Sequence, residues 1–218
     1  MAAGNPQASA GHVVLLGDSI LDNKAYVDGG PDVLTQVRAE FPPGWKATLL
    51  AVDGDVISGV LRQLSSLPRN ATHLVVSVGG NDALGFAYLL ESPASSVAEA
   101  LSLFSSAQER FAADYDLMAE AVSATGIPAA LCTIYDTPAS TPQHRIIKTA
   151  LAFFNDCISR TAFSRGMSLI DLRLICNEEG DYANPIEPSS QGGAKIARAV
   201  AAVVGLQGGS VECRVIAR

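Results

Sequence analysis

This chain is short of charge, aromatics and cysteine, and each shortage excludes something. Only 17% of its 218 residues are charged, acidic residues outnumber basic ones 22 to 15, and the formal net charge is −7. Nucleic acid and anionic membrane surfaces are held by clustered Lys and Arg, so neither is expected as a partner. No apolar run approaches the ~20 residues of a membrane span; a long candidate, Ala199 to Leu206, is short and Ala-rich. Met1 to Gly11 has neither the basic start nor the apolar centre of a signal peptide. Residues 1–10 therefore read as a flexible leader, and 11–218 as one domain. The four cysteines (Cys132, Cys157, Cys176 and Cys213) form no C-x-x-C pair and no zinc spacing. Scattered thiols of this kind fit a reducing compartment, so a cytoplasmic location is expected. With three histidines in all, no His/Asp/Glu cluster falls at metal-ligand spacing. There is no G-x-x-x-x-G-K-[ST] loop, and Gly29-Gly30 opens no dinucleotide fingerprint. No metal and no cofactor is expected.

What the chain does have is apolar residues, 48% of the total, enough for a large core. Their spacing alternates between two periods. Strand-like runs occur at His12 to Leu16, Lys46 to Val52, His73 to Val78, Ile127 to Tyr135 and Met167 to Leu172. Helical spacing occurs at Pro31 to Phe41, Val56 to Leu67, Val97 to Val122, Arg145 to Phe163 and Ala194 to Val204. Val211 to Ile216 reads as an edge strand or a tail. Strands alternating with helices imply parallel pairing through right-handed crossovers. The fold class is α/β: a three-layer α/β/α sandwich on a five-stranded parallel sheet of flavodoxin-like order.

Open sheets of this type keep their chemistry outside the carboxyl ends of the strands. Three runs end there in suitable residues. Gly17-Asp18-Ser19 follows the first, Gly54 follows the second, and Gly79-Gly80-Asn81-Asp82 follows the third. Ser19 is a hydroxyl nucleophile. Its own N–H, the Gly54 N–H and the Asn81 amide are three donors suited to an oxyanion.

These motifs resemble the SGNH/GDSL hydrolase family, whose four markers are a Ser, a Gly, an Asn and a His. Ser19, Gly54 and Asn81 match the first three. The resemblance implies a serine hydrolase, an esterase or lipase, acting on small-molecule carboxylic esters of short acyl groups without a cofactor. The fourth marker departs. Where the family has Asp-x-x-His before the last helix, this chain reads Asn184-Pro185-Ile186-Glu187-Pro188-Ser189. Asn184 replaces the Asp and Glu187 the His. Three arrangements follow. Glu187 is itself the base, oriented by Asn184, Asp181 or backbone groups; burial would raise its pKa and improve the match. Alternatively His144, in the loop after the fourth strand and near a helix start at Thr141-Pro142, folds inward. His12 and His73 sit at the amino ends of their strands. Or the chain has lost hydrolysis and binds a ligand. Acyl transfer to an alcohol is a further alternative.

Several neighbours have simpler roles. Asp18 is expected to bond local backbone and Asp82 to cap a turn or helix start. Asp53 and Asp55 are read as turn-formers. Asp22 and Asn23 either line the pocket or cap. Leu84 to Leu90 is read as core rather than pocket wall, and Trp45 as a packing residue.

Overall fold

The computed structural model describes residues 10–206 and residue 215. The leader reading at 1–9, all but one residue of the run at 211–216, and Cys213 lie outside them. Five strands form the sheet: β1 (His12–Gly17), β2 (Lys46–Leu49), β3 (His73–Ser77), β4 (Ala129–Cys132) and β5 (Ser168–Ile170). Their order is β2-β1-β3-β4-β5, all neighbours parallel. This is the flavodoxin-like arrangement. Its switch point lies at β1 and β3, where the chain leaves for opposite halves of the sheet.

The apolar run of β1 follows from burial on both faces. Val14 and Leu16 enter one core with α2 (Ile57–Leu64), α4 (Val97–Ala124) and α5 (His144–Arg165). Val13 and Leu15 enter the other with α1 (Val33–Glu40), α6 (Leu172–Ile175) and α7 (Ser190–Val203). The remaining helix, α3 (Gly80–Leu84), follows β3 directly. Local signals set several helix starts. Asp32 accepts the Thr35 N–H at 2.7 Å, Ser96 accepts the Glu99 N–H at 3.1 Å, and Ser189 accepts the Gln191 and Gly192 N–H groups.

Three local readings need correction. First, the apolar stripe of α4 is covered only from its middle onward: Phe111, Tyr115, Met118 and Val122 are buried, whereas Val97 is 77% and Leu101 51% exposed. A helix of 28 residues runs ~40 Å, and strands of this length span less than ~20 Å. The first turns of α4 therefore overhang the carboxyl edge of the sheet. Second, Thr141-Pro142 does not start α5. The pair closes a turn from the His144 N–H to the Thr141 carbonyl at 3.0 Å, and the helix begins after Gln143 in a left-handed conformation. Third, the second, fourth and fifth strands are shorter than their apolar runs. Leu172 leaves β5 because Asp171 accepts the Arg173 N–H and starts α6.

Candidate active site

β1 ends at Gly17, whose φ of +126° favours glycine and whose added Cβ would lie 1.7 Å from the Ser77 carbonyl oxygen. Gln63 clamps this residue, accepting its N–H and donating to its carbonyl, both at 2.8 Å. The chain then turns sharply. Leu21 and Asp22 both donate to the Asp18 carbonyl at 3.1 Å, so one helical turn follows Ser19. Ser19 is 4% exposed. Among the described residues its N–H donates to no protein acceptor.

Gly54 lies in the turn closed by the Asp55 N–H on the Val52 carbonyl at 3.0 Å. Its φ of +79° is what the third position of such a turn requires. The residue is exposed, and its N–H has no protein acceptor among the described residues. Asp22 holds this turn by accepting the Asp53 N–H at 3.1 Å. Asn81, on α3, donates one amide N–H to the Asp55 carbonyl at 2.8 Å. That bond orients the amide and leaves its second N–H uncommitted. Asp82 accepts the Ile57 N–H at 3.0 Å, so it caps the start of α2 rather than its own helix.

Glu187 sits on a loop tied at several points. Tyr182 and Pro188 form an antiparallel bridge, and the Ala183 N–H donates to the Glu187 carbonyl at 2.9 Å. Asn184 accepts the N–H groups of Ile186 and Glu187 at 2.8 and 2.9 Å. Tyr135 donates to the Ile186 carbonyl at 2.5 Å. Asn23, fully buried, donates to the Pro188 carbonyl at 3.0 Å and accepts the Val33 N–H at 2.9 Å. Asp181 is buried on the far side of the loop, paired with Lys195 at 2.8 Å. Asn184 thus shapes the backbone at Glu187. Asp181 acts on the loop as a whole.

Glu187 is a buried residue, 7% exposed. Burial raises its pKa, the Ser19 hydroxyl lowers it as a hydrogen-bonding neighbour, and the charge of Asp53 raises it again. Glu187 Oε2 is buried with no hydrogen bond of good geometry. Asp18 is also buried. It accepts the Ile20 N–H at 3.1 Å, as a turn-former should, yet its pKa is pushed up to about 8. Burial is the main cause, and the charges of Glu187 and Asp82 add to it. The His144 Nδ1 pairs with the Thr137 hydroxyl at 3.1 Å.

That cavity measures about 400 Å³. Its polar wall comes from the strand ends, including Asp18, Ser19, Ser77, Asn81 and Thr133. Its apolar wall includes Leu84, Phe86 and Leu90. The stretch read as core is therefore divided: Leu89 alone of the large residues from 84 to 90 is buried in the core, and Tyr88 is 59% exposed. Alternate faces of a short helix explain the split. Sequence reasoning missed Gln63, and it named Asn23 and Asp181 without their partners: Gln63 and Asn23 bond distant backbone groups and Asp181 pairs with Lys195, contacts that no local pattern reveals.

Residues 15–195 match the GDSL-like Lipase/Acylhydrolase family. No curated protein matches the chain significantly. Among solved structures, an extracellular lipase from Streptomyces rimosus superposes with a TM-score of 0.67 at 16% identity, covering 89% of this chain and 100% of that one. Phospholipase A1 from Streptomyces albidoflavus NA297 gives 0.64 at 19%, covering 89% and 99%. A lipase from a goat rumen metagenome gives 0.69 at 17%, covering 89% and 97%. These likenesses also correct the expected cytoplasmic location. A solved structure with this fold is an extracellular lipase, so the fold points away from the cytoplasm and the expectation drawn from scattered thiols does not stand. Cys132, Cys157 and Cys176 are free and buried, which shields thiols in any compartment. No described helix is long and apolar enough to cross a membrane. The matched family covers most of the chain, from the first strand to the last helix, and by it this protein belongs to the GDSL-like lipase/acylhydrolase family and is a carboxylic ester hydrolase.

Proposed function

We propose that Ser19 is the nucleophile, Glu187 the base, and the Ser19 N–H, Gly54 N–H and Asn81 amide the oxyanion donors. One observation carries the assignment of the base. Glu187 is a buried carboxyl with an unpartnered oxygen, on a loop that Asn23 ties to the segment just after Ser19 and Tyr135 ties to the end of the fourth strand run, and the Ser19 hydroxyl lowers its pKa. The Ser19 oxygen attacks the ester carbonyl carbon while its proton passes to Glu187. The carbonyl oxygen becomes an anion facing three donors, each of a kind worth ~3–4 kcal/mol in such a site. Collapse breaks the bond to the alcohol, which takes the proton from Glu187 and leaves. Water then attacks the Ser19 acyl ester, giving its proton to Glu187. The second collapse returns that proton to Ser19 and releases the acid. An ordinary glutamate, with a pKa near ~4.3, is a weak base for this step, and burial strengthens it.

The test is covalent as well as kinetic. An organophosphonate should label Ser19, and Ser19→Ala should lose both the label and ester turnover. Glu187→Gln should lose turnover while His144→Ala keeps it. The reverse pattern in the last pair would assign the base to the imidazole.

A further inference from the structure

The first three turns of α5 present Ile147, Ala150, Leu151 and Phe154 to the cavity that opens beside Ser19. These positions are i, i+3, i+4 and i+7, the single apolar stripe of a helix. In most helices such a stripe is covered by a neighbour. Here only its far end is: Phe154 is 3% exposed and packs on Phe111, while Ile147, Ala150 and Leu151 are half-buried. The facing wall includes Phe86 and Phe104, the latter from the overhanging first turns of α4. The stripe from Ile147 to Phe154 is ~10 Å long at ~1.5 Å per residue. An extended chain advances ~3.5 Å for three bonds, so an alkyl chain lying along it would hold about eight to ten carbons. An acetyl group would leave most of the 400 Å³ unfilled, and unfilled apolar space forfeits contacts on every side.

We propose that this face of α5 is the track for the acyl chain, and that the enzyme selects medium-chain acyl esters over the short ones the sequence suggests. The proposal rests on Ser19 and its neighbours being the hydrolytic site. Carbonyl carbon at Ser19 then places the chain among the helices and the alcohol on the side of Gly54 and Glu187, neither of which belongs to the cavity wall.

The experiment is a chain-length series of nitrophenyl esters, acetyl to decanoyl, below their micellar concentrations. Each methylene leaving water for such a face raises kcat/KM by about three- to fourfold. Decanoyl carries six more methylenes than butyryl; with about half of them on the half-buried face, it should exceed butyryl by at least ~50-fold. Ala150→Trp, and the milder Ala150→Leu, should lower the decanoyl-to-butyryl ratio by tenfold or more. A wild-type optimum at acetyl or butyryl, or a ratio that neither variant moves, overturns the acyl track and leaves ester hydrolysis at Ser19 standing. If no ester is turned over, the hydrolytic assignment fails instead. Calorimetry with decanoate then decides the track: binding that Ala150→Trp and Ala150→Leu weaken sustains it, and no binding ends it.

Discussion

The two ends of the sheet carry polar clusters built from similar residues, and they differ in one respect. At the amino end, His12 pairs through Nδ1 with Asn70 at 3.0 Å and through Nε2 with Thr48 at 2.8 Å. Its N–H donates to the Thr72 hydroxyl, which also pairs with His73 Nδ1. The His73 ring stacks on Trp45 with centroids 5.6 Å apart. Both ring nitrogens of His12 are occupied by protein groups; the buried polar atom left unpartnered there is Trp45 Nε1, a donor that can neither accept a proton nor attack a substrate. At the carboxyl end, two backbone N–H groups lack protein acceptors among the described residues, one amide is half-used, and a buried carboxyl oxygen is unpaired. Unsatisfied buried groups cost ~1–3 kcal/mol each. Of the residues carrying these groups Ser19 and Glu187 are buried and Gly54 is exposed, so the cost falls on the first two, which stand ready for a substrate. Histidine content is therefore a poor guide here: the satisfied histidines are structural, and the unsatisfied carboxyl is the candidate base.

The comparison can be broken most severely at Glu187. Glu187→Gln removes the proton acceptor at nearly constant shape and should lower kcat/KM about 10³-fold or more. In the wild type the acid limb of the pH–rate profile should lie above the ordinary glutamate value, because burial raises this pKa. Glu187→His should move that limb toward ~6.5. A limb that stays put in the histidine variant would show that another group titrates.

Asp18 offers a second break, read in stability. Its folded-state pKa of about 8 lies above the ordinary 3.8, so the neutral form is favoured by folding. The linked stability is fully present below pH ~4 and is lost as the pH rises toward 8, by an amount on the order of a few kcal/mol. Asp18→Asn should abolish that slope, so that its advantage over the wild type in urea grows from pH 4 to pH 8. Parallel curves for the two proteins would mean that Asp18 is charged in the folded state.

The smallest and sharpest contrast pairs one tie from each end. Asn23→Ala frees the Pro188 carbonyl beside Glu187 and should cost about 1–3 kcal/mol of stability together with roughly tenfold in kcat. His12→Ala should cost a similar stability and leave kcat/KM within about twofold, since the cluster at the amino end touches nothing reactive. Equal kinetic losses in both variants would dissolve the distinction between the two ends.

The site was partly legible in the order of residues because its first three members follow strands directly. Ser19, Gly54 and Asn81 each stand within a few residues of an apolar run, and parallel strands deliver such residues to one edge. The halves of the molecule around them were legible for the same local reason: periods of two and of 3.6 depend only on near neighbours. Glu187 was legible as a replacement in a flanking pattern, but its approach to Ser19 depends on Asn23, Tyr135 and Asn184 gripping the loop. Val97 and Leu101 misled because helical spacing records an apolar stripe and does not record how far the neighbouring layer extends.

Sequence by itself determined the strand-helix alternation, the parallel sheet and the three strand-end markers, since backbone sterics and hydrophobic periodicity act over a few residues. Tertiary structure alone decided that the Glu187 carboxyl is buried, which polar groups stay unpaired, and how much of the α5 stripe is left facing a cavity. Those are properties of surfaces brought together from distant parts of the chain, where burial sets proton affinity and where a helix longer than its sheet leaves space that no local pattern encodes.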